Sequence, residues 1–122
     1  MLAVNLDQRP QVVDITTLPI AIEVQPDRKL NRLLADLSPD TPWGDRQNAA
    51  RQLGYMRSPE ALPGLLAALP TDPFWMVRCS IIQALEKIGD PGPIPTLQRV
   101  AKMDGFQVVR SYAAKGITRL SP

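Results

Sequence analysis

The chain has 122 residues, 44% apolar and 21% charged, enough for one ordinary core and too apolar for a disordered protein. Fourteen Lys and Arg against twelve Asp and Glu leave a net charge of +2, with no histidine and a single cysteine, Cys79. That inventory excludes Ser-His-Asp catalysis, histidine ligation of metal, an internal disulfide and a zinc cluster, and it gives nucleic acid no basic footprint to bind.

The opening stretch MLAVNLDQRPQVVDI has no positive region leading into an unbroken apolar run. No segment approaches the roughly 18 apolar residues a membrane span needs, so the expected location is the cytoplasm, with no membrane insertion. The following VVDITTLPIAIEV is rich in β-branched residues and is interrupted by Pro10, Pro19 and Pro26. Residues 1–25 are therefore expected to form an extended N-terminal arm or cap, in front of a repeat domain over 26–122.

From there the chain repeats with an offset of 32 residues, the mark of stacked supersecondary units. Leu30, Leu33, Leu34 and Leu37 form an i, i+3, i+4, i+7 stripe that predicts a helix, which closes a partial first unit at 26–39. The next unit, 40–71, opens with a helix carrying Ala49, Ala50, Leu53 and Met56. A second helix follows, with Leu62, Leu65, Leu66 and Leu69. Unit 72–103 repeats the design with Val77, Ile81, Leu85 and Ile88, then Ile94, Leu97 and Ala101. Residues 104–122 supply only a first helix, carrying Val109, Ala113, Ile117 and Leu120. In the turns between paired helices Ser58 and Asp90 are candidate N-caps, and Gly89 suits a left-handed helix end. The expected fold is all-α, an α-solenoid of about three helix pairs behind an extended N-terminal segment.

Two columns of the repeat hold charge: Asp40, Asp72 and Asp104, and six positions later Arg46, Arg78 and Arg110. Stacking sets identical side chains beside one another, so these six are expected to form a structural ladder. As exposed pairs they would contribute only about 0.2 to 1 kcal/mol each, less than the leucine columns.

Residues 77–97 read VRxxxxxALxxIGDPxPIPxL, which resembles the HEAT-like repeat of the phycobilisome (PBS) lyase type. The resemblance covers roughly residues 27–120. It implies a right-handed helix-turn-helix α-solenoid, Asp and Arg side chains that bridge units and bond turn backbone, and a concave wall made by the second helices. It also implies a link to photosynthetic light harvesting, where relatives attach or isomerise bilins or assist pigment turnover.

The expected function is a non-catalytic protein-protein interaction module or assembly factor, with no catalytic, cofactor or metal residue to name. Beside it stand a bilin lyase-like chromophore handler and a HEAT-like nucleic-acid binder. For the first of these no histidine or acid pair is at hand, and for the second the basic residues are broken into separate groups. Trp43, Phe74, Trp75 and Phe106 fall just ahead of successive first helices, either as staples on the helix that follows or as an exposed partner-binding rim. Arg28, Lys29, Arg32, Arg99 and Lys102 lie on second helices, as a solvated face or a second candidate surface. Cys79 aligns with Gln47 and Ser111, so partial exposure and no thiol chemistry are expected of it. The expected partner is another protein, with a homodimer through the C-terminal end or the N-terminal arm as a further option.

Overall fold

The computed structural model describes residues 28–122; the expected arm at 1–25 lies outside them. The helices among the described residues are α1 over 28–35, α2 Trp43–Met56, α3 Leu62–Ala68, α4 Trp75–Ile88, α5 Ile94–Met103 and α6 Gln107–Leu120. No strand occurs among them, so the fold is all-α, as an α-solenoid requires. The chain divides into two units between Asn31 and Arg32. Of the first, residues 28–31 are helical, with Arg28 and Lys29 exposed. The contacts that follow all lie within the second.

First helices stack on first helices: α4 lies between α2 and α6 and packs closely against both. Its central place explains its burial. Whereas α6 covers Val109, Ala113, Gly116 and Leu120, α4 covers Val77, Cys79, Ser80, Ile81, Ile82, Ala84 and Leu85, on more than one face. The aliphatic columns form the core, with Leu53, Leu65, Leu69, Ile81, Leu85, Leu97 and Val109 all fully buried. Each such aliphatic side chain contributes about 1.5 to 3 kcal/mol relative to exposure.

The second helices differ from the sequence pairing in one respect. Each lies closer to the first helix of the following unit than to that of its own: α3 to α4, and α5 to α6. For the latter pair the connection is only Asp104–Phe106, too short to let the two helices separate.

The turns follow their backbone chemistry. Gly89 ends α4 in the left-handed region, with φ 80°, as its lack of a Cβ allows. Its counterpart one unit earlier, Arg57, takes the same conformation with φ 52°, at a cost of about 1 to 2 kcal/mol for an L residue with a Cβ. Neither expected N-cap operates as one. Ser58 precedes a short 3-10 turn at Pro59–Ala61 without capping it and instead bonds Glu60. Asp90 accepts the Gly92 N–H at 2.7 Å, closing the turn itself, and the residue before α5 is Pro93.

Candidate protein-interaction surface

The unit joints are held by the charged columns. Arg46 donates from Nε and Nη2 to the two carboxylate oxygens of Asp72, at 2.7 and 3.2 Å, and from Nη1 to the Thr41 carbonyl at 2.6 Å. Arg78 repeats this with Asp104 at 2.7 and 3.0 Å and with the Asp72 carbonyl at 2.7 Å. Arg110 donates to the Asp104 carbonyl at 2.6 Å. Each aspartate also accepts a backbone N–H two residues on, from Phe74 at 3.0 Å and from Phe106 at 2.9 Å. The geometry thus spans turn, helix and next unit in each rung.

These pairs are not exposed, which corrects their expected weight. The Arg46 and Asp72 side chains are 6% and 4% exposed, and those of Arg78 and Asp104 are 11% and 8%. A buried pair costs about 3 to 5 kcal/mol to break from one side, because the remaining charge is left without a partner. Burial opposes ionisation of Asp104, but hydrogen bonds from Arg78 and the Phe106 N–H, with the charges of Arg78 and Arg110, outweigh it and hold the carboxyl below the usual aspartate range. Asp40 stands apart. It is exposed, it pairs with no arginine among the described residues, and its own N–H bonds the Ser38 hydroxyl at 3.3 Å. The residue two positions on is Pro42, which has no N–H to give.

Beside each rung sits an aromatic pair that joins two units. Trp43 meets Phe74 edge to face at 5.1 Å between ring centres, and Trp75 stacks on Phe106 at 6.1 Å. The Arg46 and Arg78 guanidinium carbons lie 6.0 and 5.7 Å from the Phe74 and Phe106 ring centres, within cation-π range. The rings therefore pack on the neighbouring unit, not solely on the helix that follows each. They remain 37 to 48% exposed, a half-open aromatic edge running across both joints.

A second repeated feature lies along the second helices. A groove of about 270 Å³ is lined by Leu34, Leu37, Gly64, Ala67, Ala68 and Thr71 among others. One unit further on, a groove of about 310 Å³ is lined by Pro70, Thr96, Arg99, Val100, Met103 and Asp104. Thr96, Arg99, Val100 and Met103 are the 32-residue counterparts of Gly64, Ala67, Ala68 and Thr71. Of the cations expected to mark this wall, Arg99 lines the later groove, while Arg32 and Lys102 are exposed on α1 and α5. Arg28 and Lys29 belong to the other unit.

Little chemistry is set up among the described residues. No group of three or more potential metal ligands occurs there, and no helix is long and apolar enough to cross a membrane. Cys79, expected to be partly exposed, is buried; burial pushes its thiol up, with Arg78 lowering and Asp104 raising it by smaller amounts. A thiol held neutral is a poor nucleophile.

Residues 30–118 match the family model described as HEAT repeats. Among curated proteins, none matches the chain.

Proposed function

We propose that this chain, which belongs to the HEAT-repeat family, is a non-catalytic protein-protein interaction module or assembly factor that presents a rigid edge to another protein. The half-exposed ring edge of Trp43, Phe74, Trp75 and Phe106 carries this conclusion. Aromatic side chains fixed in place lose little entropy on binding and are frequent interface anchors. Here neighbouring units and buried arginines fix them before any partner arrives. Affinity capture from the native cell with wild type and Trp75→Ala tests the proposal. Loss of a specific partner with little change in melting temperature supports it, whereas a variant that chiefly unfolds makes the edge part of the core.

A finer assignment, to phycobilisome-lyase-type repeats and through them to an accessory role in light harvesting, is supported by the motif IGDPGPIP at residues 88–95. A cytoplasmic location is supported by the lone cysteine, which has no disulfide partner in the sequence. Direct bilin handling would appear as a shifted visible absorbance when purified protein is mixed with free bilin. We expect the spectrum to stay unchanged, because the sequence has no histidine and its carboxylates show no paired spacing to act on the chromophore.

A further inference from the structure

The first helices carry a charged face that the sequence columns conceal. Two adjoining clefts run between them: one of about 310 Å³ lined by Arg57, Gln83, Glu86, Lys87 and Arg119, the other of about 220 Å³ lined by Gln83, Glu86, Tyr112, Lys115 and Arg119. A smaller depression beside them adds Arg51 and Tyr55. The acid lining both clefts, Glu86, is already engaged by Arg119 at 2.8 Å. Lys87 lies 5.4 Å from the Tyr55 ring centre, and Arg57 donates to the Lys87 carbonyl at 3.4 Å. Among the described residues, Arg51, Arg57, Lys87 and Lys115 thus meet no carboxylate.

Helix electrostatics explain only part of this. Cations in a last turn offset the negative end of the helix dipole, which suits Lys87 and Arg119. Arg51 and Lys115 stand further back from the ends of α2 and α6, where that effect has faded.

We propose that this face docks an acidic, extended segment of a partner protein. The inference rests on the interaction-module function proposed above but uses a different surface from the aromatic edge. Charge complementarity names the partner's sign. The clefts name its kind: Gln83 and Tyr112 offer neutral hydrogen-bonding groups suited to peptide backbone, and carboxylates can be placed singly at the cations. A phosphodiester chain spreads its charge continuously and would also meet Glu86 and the carbonyl ends of α2, α4 and α6, so a polypeptide fits better. Neighbouring helix axes lie about 8 to 10 Å apart, and an extended chain of polyproline II type advances about 3.1 Å per residue and repeats its face every third residue, so carboxylates at every third position would meet successive helices.

The test uses a fluorescein-labelled peptide with glutamate at every third residue, read by anisotropy at low salt against the full chain. Arg51→Glu/Lys115→Glu is expected to weaken binding by about tenfold or more. Arg99→Glu/Lys102→Glu, with the same charge change on α5, should stay within about twofold of wild type. The milder Arg51→Gln/Lys115→Gln, checked for an unchanged melting temperature, guards against a folding defect. Absence of peptide binding, equal losses in both reversal variants, or tighter binding of an oligothymidylate of equal charge each overturns the proposal. Partner capture that depends on Trp75 would survive that failure, so the two conclusions fall separately.

Discussion

Arg46 and Asp72 meet across a unit boundary as a bidentate pair, at 2.7 and 3.2 Å, with 6% and 4% of their side chains exposed. The Asp72 carboxylate also takes the Phe74 N–H, and its backbone carbonyl takes Arg78. One aspartate therefore fixes the turn before α4, the joint to α2 and the start of the next rung. Charge-assisted bonds of this geometry are the strong ones, and here little water competes for them.

Asp72→Ala should accordingly destabilise the fold by about 3 to 5 kcal/mol, leaving Arg46 buried without its partner. Leu85→Ala should cost a comparable amount, about 2 to 5 kcal/mol. The same change at exposed Asp40, outside the ladder geometry, should stay within about 0.5 kcal/mol. Urea unfolding of the three variants measures this. An Asp72→Ala midpoint close to that of Asp40→Ala would mean that the pair's desolvation had cancelled its attraction.

The leucine and arginine columns were legible because a constant 32-residue offset places chemically unlike residues in register together. Burial was less so. Cys79 shares a column with Gln47 and Ser111, which suggests exposure, yet α4 has helices on both flanks and covers it; a single unit's pattern does not show how many neighbours it will have. The basic face was hidden for a related reason. Its columns run Arg51, Gln83, Lys115 and Tyr55, Lys87, Arg119, so no one column looks cationic, and only lateral stacking gathers the charges. The half-open state of the rings is likewise settled by the adjacent unit, through Trp43 on Phe74 and Trp75 on Phe106.

Asp104 gives the stability a pH dependence with a definite sign. Its carboxyl titrates below the ordinary value of 3.8 in the fold, so the folded protein holds the ionised form more tightly than the unfolded chain does. The associated stability is fully present well above pH 3.8 and is lost as the pH falls through the lower native value. Acid titration of unfolding stability should therefore decline more steeply below about pH 4 in wild type than in Asp104→Asn. The variant should be the less stable at pH 7, with the two curves converging in acid. Parallel curves would show that Arg78 gains nothing from the ionised carboxylate.

Gly54 tests how closely the first helices stack. A Cβ placed there would sit 2.9 Å from the Ala84 Cα and 3.1 Å from its Cβ, and the first of these is backbone of a helix held on both flanks. Alanine should gain up to about 1 kcal/mol of helix propensity over glycine. Forcing α2 and α4 apart costs about 1 to 3 kcal/mol, so the net effect of Gly54→Ala is destabilising. Gly44, in the first turn of the same helix, has open space where a methyl group would stand, with nothing within 4 Å, and Gly44→Ala should stabilise by about 0.4 to 1 kcal/mol. Thermal melts should move in opposite directions, with each kcal/mol worth about 4 to 8 °C in a domain of this size. A rise in both would mean that α2 slides over α4 freely enough to admit a methyl group, and that the joint is held by Arg46, Asp72 and the rings, not by close helix contact.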